Sequence, residues 1–254
     1  MGAPPPTRPD SSAGSPSRVG EFVRLTEDEH RLIQSVLDPV QHCPRHHVLR
    51  REGNEPTHVY LLVEGWVASS LSLACGRQQI VKLHLPTDIL GVPSLCLTTA
   101  ADSLVALTPI AVRSIARSRL MAVLQRSPRI AASLFLSAQK ERIALMEALA
   151  VMGQADATVR LAAMLISLFD RLEPLGETEG DSFRLPLTQR EIGEVVGVTT
   201  VHVNRTLRQL EASGLVARSE QRIRLIDRAK LRRLAGLPLR EFQVQPTWVA
   251  DPGT

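Results

Sequence analysis

The sequence predicts an α+β protein with three parts: a strand-rich N-terminal domain, a long central helix, and a C-terminal domain of short helices and a hairpin. Three observations predict this order. Short apolar runs punctuated by glycine precede Pro128, a long helical pattern follows it, and a capped pair of helices flanks a glycine within 187–216. At 254 residues, the chain is long enough for two modest domains, each with its own core.

The segment before Pro128 alternates apolar runs with turn residues. The runs are 59–63, 70–73, 80–85, 104–107 and 110–115. Such regular strand and turn spacing predicts an antiparallel sandwich or roll.

After Pro128 a helical pattern extends from Arg129 to about Met152. An inner seam recurs at spacings of four and three, formed by Leu134, Ala138, Glu141, Leu145, Ala148 and Met152. Such a seam fits packing against another helix, for instance one from a second copy, although a single buried helix would show the same pattern. Burying the charged Glu141 in this seam costs free energy unless the carboxylate is paired, so the face that the helix turns inward stays open. A second amphipathic helix is predicted over 156–171, and the polar residues 176–182 are predicted to be a linker.

Two short helices are predicted around the glycine at position 197. Thr188, followed three residues later by Glu191, is a capping-box pattern, so a helix should begin there. Gly197 supplies the left-handed residue that ends this helix. Thr199 can then cap a second helix that continues past Leu210.

The second helix has two different faces. Its core face carries Val203, Leu207 and Leu210. The opposite face and its flanks carry Val201, His202, Asn204, Arg205 and Arg208. An amphipathic helix with a solvated basic face is the simpler interpretation. The capped helix before it and the predicted hairpin after it, 214–216 and 223–226, favour a winged helix-turn-helix that reads DNA.

Charge supports a nucleic-acid partner for the C-terminal part alone. From Thr188 to Arg233 the chain holds ten Lys and Arg and five Asp and Glu, a net charge of +5, whereas the whole chain is +4. The remainder is therefore close to neutral. A basic domain attached to a near-neutral one indicates that only the former meets a polyanion.

Several classes of protein are disfavoured by composition. No apolar run reaches the ~18 residues of a membrane span, and the Pro-, Ser- and Gly-rich residues 1–20 do not resemble a secretory signal. We therefore expect a soluble cytoplasmic protein with no membrane partner, and disordered residues 1–20. No nucleophile–base pairing, phosphate loop or metal-ligand spacing is evident, and His84 and Asp88 form no constellation, so we expect no enzyme.

Cysteine and histidine leave one alternative open. Cys43, Cys75 and Cys96 are too few and too widely spaced for a disulfide framework or a C-x-x-C metal site, and their role stays open. His42, Cys43, His46 and His47 lie close together and could ligate haem or another metal. A polar loop is the favoured interpretation, so we predict no cofactor; a haem- or redox-linked sensor is the alternative.

The order of these parts resembles the CRP/FNR family of bacterial transcription regulators. The resemblance covers about residues 22–236 and rests on matching motifs at 51–54, 63–65, 76–77, 88–91, 187–188, 191–193, 197, 204–205 and 210–211. It implies a cyclic-nucleotide-binding-type β-roll, a long dimerisation helix and a winged helix-turn-helix. The implied division is 1–20 disordered tail, 21–127 β-roll sensor, 128–153 dimerisation helix, 154–236 DNA-binding domain and 237–254 loose C-terminal tail.

Departures from the family bear on the effector. Members that bind cyclic AMP place a ribose-binding glutamate after the glycine matched by Gly91, but Val92 follows here. They place a phosphate-binding arginine some ten residues later, where this chain reads Ala100–Ser103, so a phosphate would meet no arginine. Residues 1–42 lack the cysteines of iron–sulfur members. The effector is therefore predicted to be another small-molecule or redox signal.

The resemblance also implies roles for residues that contact DNA. Thr188, Arg190 and Thr199 match phosphate-binding positions, and Arg205 matches a base-reading arginine that can contact guanine. The remaining candidates on the recognition helix are Thr200, Val201, His202, Asn204 and Arg208. Val201 stands where other members have a base-reading glutamate, and it can pack on a thymine methyl group.

The implied partners are double-stranded DNA, a second copy in a homodimer, and RNA polymerase. The sequence does not distinguish activation from repression. A signalling module whose winged helix contacts protein instead of DNA is the remaining alternative, and weak salt dependence of nucleic-acid binding would favour it.

Overall fold

The computed structural model describes residues 20–74, 76–246 and 249. The predicted N-terminal tail, residues 1–20, therefore lies almost wholly outside the described residues. Cys75 and most of residues 247–254 also lie outside them. Among the described residues, no helix combines the length and apolar character needed to cross a bilayer.

The N-terminal domain is a roll of two four-stranded antiparallel sheets. Its strands are β1 Gln41–Cys43, β2 Val48–Arg50, β3 His58–Glu64, β4 Val67–Ser72, β5 Gln78–His84, β6 Ile89–Leu90, β7 Ser103–Ala106 and β8 Ile110–Ala116. One sheet has the order β1-β8-β3-β6 and the other β2-β7-β4-β5. The predicted strands are confirmed, with ends shifted by a few residues. The two sheets enclose a core that includes Leu62, Leu90 and Leu104, all with no exposed surface.

Four helices flank and follow the roll. They are α1 Glu27–Val36, α2 Arg117–Arg126, α3 Pro128–Gln154 and α4 Ala157–Leu172. Sequence reasoning did not predict α1 or α2. Ser127 caps α3 through the amide of Ile130, and Asp156 caps α4 through two amides, so both predicted helices are confirmed.

Helix α3 presents different faces to different neighbours. Ser133 and Ser137 are buried, and Glu141 forms an ion pair with Lys82 of β5. An apolar face is exposed instead at Phe135, Leu145, Met146 and Leu149. The predicted seam is therefore divided: its Leu145 lies on the exposed face, whereas its Glu141 faces the roll of its own chain, because the buried ammonium of Lys82 supplies the partner that an inward glutamate needs.

The C-terminal domain is a winged helix-turn-helix. It contains β9 Thr178–Glu179, β10 Ser182–Arg184, α5 Gln189–Val196, α6 Thr200–Ala212, β11 Val216–Ser219, β12 Arg222–Leu225 and α7 Arg228–Ala235. The predicted hairpin is confirmed as β11 and β12. The predicted linker at 176–182 is wrong. It forms most of the β9–β10 hairpin, which completes a sheet of order β11-β12-β10-β9, because glycines at 176 and 180 adopt positive φ at its turns.

Besides the core between its two sheets, the roll shares a second apolar cluster with the C-terminal domain. A single cluster joins Ile80 and Leu83 of the roll with Phe169 of α4 and Ile192 of α5. The segment after α7 is also held: Arg240 pairs with Glu147 of α3, and the backbone of Gln245 bonds to that of Phe22. The predicted loose tail is therefore corrected over 237–245, where these contacts fix an irregular segment.

Candidate DNA-binding surface

Helix α5 begins and ends as the sequence predicts. The Thr188 hydroxyl accepts from the amide of Glu191, whose carboxylate accepts from the amide of Thr188 at 2.6 Å, so the capping box is confirmed. Gly197 ends the helix at φ 71°. A side chain at Gly193 would place its Cβ 2.5 Å from the carbonyl oxygen of Val198, so the turn into α6 closes only over glycine.

Helix α6 carries the predicted two faces. Val203, Leu207 and Leu210 are buried against the domain core. Thr200, Val201, Arg205 and Arg208 are exposed on the opposite side, with His202 and Asn204 half-buried at its flanks. Val201 is 80% exposed, which is unusual for a valine and leaves its methyl groups available for an apolar contact.

The charged candidates differ in how they are held. The guanidinium of Arg205 lies 3.2 Å from Nε2 of His202, one turn earlier on α6. Arg190 projects from α5 with its side chain 79% exposed and its Nε 3.3 Å from the carboxylate of Glu194. Thr188 and Thr199 are helix caps whose hydroxyls already accept hydrogen bonds from backbone amides. A phosphate at either threonine would therefore also meet the helix N-terminal amides.

Asn204 is engaged within the protein. Its Oδ1 accepts from Nε2 of Gln189 at 2.7 Å, and its Nδ2 donates to Oε1 of the same glutamine. Gln189, the first residue of α5, was missed by sequence reasoning. No periodicity could reveal it, because the contact joins residues on two crossing helices.

The wing adds basic residues that were also missed. Arg218 of β11 donates through Nε and Nη2 to the two carboxylate oxygens of Glu211, both at 2.9 Å, and these bonds hold the pKa of Glu211 below its usual value. This fork ties the wing to α6. Arg222 and Arg224 are exposed on β12. The local excess of positive charge in the sequence was the signal for them.

Side chains of the roll form hydrogen bonds near both ends of α5. Arg45, in the β1–β2 turn, contacts both carboxylate oxygens of Glu191, while Gln79 of β5 donates to the carbonyls of Glu194 and Val195. At Gly197, an added Cβ would lie 2.7 Å from the terminal methyl of Met152 in α3. The winged helix-turn-helix domain is therefore positioned by the roll and by the long helix together.

The part of the roll that matches the family's phosphate-binding position holds an internal ion pair. Arg50 reaches this region from β2, so the expectation that no arginine would lie there is wrong. Its Nη2 is bound to the carboxylate of Asp102, and only 4% of the Arg50 side chain is exposed.

The residues considered for the haem alternative do not form one group. Cys43 is buried in the roll core, and burial raises the pKa of its thiol, while His42 lies exposed on the preceding position. Within the described parts of the chain, no cluster of three or more His, Cys, Asp and Glu side chains could hold a metal ion.

His84 and Asp88 do enter a constellation, contrary to the sequence expectation. Nε2 of His84 lies 2.8 Å from the hydroxyl of Ser69, and Nδ1 lies 3.6 Å from the carboxylate of Asp88. All three side chains are buried, and Asp88 also binds Arg171 of α4. The arrangement joins the roll to α4, and its burial leaves the hydroxyl closed to a substrate.

Comparisons with known proteins agree with this architecture. The family model described as cyclic nucleotide-binding domain matches residues 40–127, and the Crp-like helix-turn-helix domain matches 159–234; together they cover well over half of the chain.

Relatives match along most of their length. The transcriptional activator protein anr of Pseudomonas aeruginosa is 23% identical over 84% of this chain and 86% of its own. The nitrogen fixation regulation protein FixK of Bradyrhizobium diazoefficiens is 29% identical over 70% and 74%. The solved structure of FixK2 from Bradyrhizobium japonicum superposes with a TM-score of 0.72 at 25% identity, covering 79% of this chain and 98% of that one. The fold, the two matched domains and these relatives show that the chain belongs to the CRP/FNR family of DNA-binding transcription regulators.

Proposed function

We propose that this regulator binds palindromic DNA as a homodimer, reads base edges with α6, and is controlled by a signal received in the roll. The observation that carries the proposal is the exposed face of α6 at Val201, Arg205 and Arg208, to which the wing adds the exposed Arg222 and Arg224. An α-helix fits the major groove, where an arginine can contact guanine O6 and N7 together.

Dimerisation is supported by the exposed apolar face of α3. Phe135 is 57% exposed, Met146 60% and Leu149 73%. Large apolar side chains gathered on one helix face indicate a protein contact. A second copy of α3 would cover this face and would present two recognition helices about 34 Å apart, the spacing of successive major grooves.

Within this proposal the DNA contacts divide into two kinds. Thr188, Arg190, Thr199 and Thr200 lie near the N-termini of α5 and α6 and would hold phosphates, which fix register without reading sequence. Arg205 would read guanine, and Val201 would pack on a thymine methyl at an adjacent base pair. Arg208, one turn further along α6, and His202 would flank them.

The effector is proposed to be a small molecule or redox signal other than cyclic AMP. Asp102 lies where a cyclic phosphate would need positive charge, and its carboxylate is already bound to Nη2 of Arg50. Haem is disfavoured because Cys43 is buried in the roll core, whereas the neighbouring His42 is exposed. We therefore propose that the chain has no resident cofactor and no enzymatic activity.

The signal would reach DNA through the contacts that hold α5. An effector can shift a two-state equilibrium only by preferring one state, so it must favour one placement of the DNA-binding domain on the roll. RNA polymerase is the proposed protein partner, supported by relatives named as transcriptional activators.

Selection of duplexes from a random pool by the purified full-length chain tests the proposal. Recovery of a two-fold symmetric site, with binding that weakens steeply as salt rises, is the expected result because phosphate contacts release counterions. Binding with weak salt dependence and no recovered consensus would instead favour a winged helix that contacts protein.

A further inference from the structure

The two amides that join α5 to α6 form a closed pair. Gln189 donates from Nε2 to Oδ1 of Asn204 and accepts at Oε1 from Nδ2 of Asn204. Both side chains are half-buried, at the edge of the exposed face of α6. Each amide therefore satisfies one donor and one acceptor of the other.

The major-groove edge of adenine offers the same pattern as the glutamine amide. Adenine presents N6–H as a donor and N7 as an acceptor, and asparagine contacts this pair with Oδ1 and Nδ2. Gln189 already forms hydrogen bonds with these same two atoms of Asn204. Within the protein, the Gln189 amide therefore makes the two hydrogen bonds that an adenine edge would make.

The position of Gln189 is fixed by its surroundings. It is the first residue of α5, immediately after the cap at Thr188, and Arg45 of the roll grips the Glu191 carboxylate that completes the capping box. Because these contacts fix the N-terminal end of α5, the Gln189 side chain can bond to Asn204 without any loop having to become ordered.

We infer that Gln189 is a specificity-determining residue that keeps Asn204 from reading adenine. The inference rests on the proposed reading of DNA by α6. Exchanging the glutamine amide for an adenine edge breaks two hydrogen bonds and makes two, so Asn204 gains nothing by turning to the base. Base reading is then left to Arg205 and Val201.

The test compares Gln189→Ala, Asn204→Ala and the double variant with the wild-type chain in selection from a random duplex pool. Gln209→Ala, a glutamine exposed at the far end of α6, is the matched control. Gln189→Ala should gain a preference for adenine of about tenfold at one base pair of each half-site, because asparagine is then available for a bidentate contact. Asn204→Ala and Gln209→Ala should select the wild-type site, and the double variant should lose the gain.

Three results would overturn the inference. A changed base preference in Asn204→Ala would mean that Asn204 already reads a base. Unchanged preferences in Gln189→Ala would mean that the glutamine masks nothing, and equal weakening on all sequences would make it a phosphate ligand. Absence of any wild-type consensus would reject DNA reading itself, which is a separate and recognisable failure.

Discussion

Arg45 holds Glu191 across the domain boundary, with one guanidinium nitrogen 2.9 Å from each carboxylate oxygen. The two residues are 146 positions apart, and only 7% of the Glu191 side chain is exposed. One turn of the roll therefore contacts the residue that caps the first helix of the DNA-binding motif.

Replacing Arg45 should loosen α5. Arg45→Ala leaves a buried carboxylate with fewer donors and should lower the free energy of unfolding by about 1.5–3 kcal/mol, the range for hydrogen bonds to charged groups. Amide hydrogen exchange should accelerate in α5 and α6 but not in β3 and β8. Arg51→Ala, at the exposed neighbouring turn, is the control. Equal exchange rates in the two variants would contradict a role for the Arg45 contact.

The apolar face of α3 gives a direct test of dimerisation. Met146→Glu should convert the dimer to a monomer in sedimentation equilibrium, because two carboxylates would be buried in the contact. Met121→Glu is the matched control, because Met121 on α2 is 52% exposed and Met146 on α3 is 60% exposed. Dissociation by both variants, or by neither, would contradict the placement of the interface.

Burial of the Arg50–Asp102 pair predicts a large loss when one partner is removed. Asp102→Ala leaves a guanidinium that is only 4% exposed without its carboxylate and should cost about 3–5 kcal/mol of unfolding free energy. Asp28→Ala removes the carboxylate of an exposed Arg–Asp pair, whose side chains are 78% and 85% exposed, and should cost at most about 1 kcal/mol. Similar losses in urea unfolding would mean that the roll does not depend on the buried pair.

His84 should make stability depend on pH. Burial, together with the positive charge of Lys82, lowers the pKa of His84 below its ordinary 6.5, although Asp88 and Glu141 act in the opposite direction. The unfolded chain then binds a proton more readily than the folded chain. Stability is therefore full above pH 6.5 and falls as the pH drops below it, by at most about 1.4 kcal/mol per pH unit from this group.

His84→Gln should flatten that part of the stability profile between pH 6.5 and 5. His30→Gln, at an exposed position of α1, controls for the loss of a histidine. Thermal unfolding across this range gives the comparison, and parallel profiles for wild type and His84→Gln would contradict a buried neutral imidazole.

Much of the fold could be predicted from local sequence patterns. The capping box at Thr188, the glycine turn at Gly197 and the faces of α6 could be predicted because each is encoded within a few consecutive residues. The linker at 176–182 could not be read as strands, since its polar residues form a hairpin only by pairing with the wing. The register of α3 likewise depended on Lys82, which lies 59 positions before Glu141.

The candidate site shows the same division. Arg205 and Val201 follow from helical periodicity, but the contacts of Asn204 with Gln189 and of Glu191 with Arg45 join separate elements. Such contacts depend on the packed positions of helices, which spacing along the chain does not specify.

Base reading by Arg205 can be tested by measuring the affinity of Arg205→Ala for the selected duplex and for duplexes changed at single base pairs. We expect a loss of about 1–3 kcal/mol on the selected site and weakened discrimination at one guanine–cytosine pair per half-site. Discrimination at the other base pairs should be kept. An equal loss on every duplex would contradict base reading by Arg205 and would make it a phosphate contact.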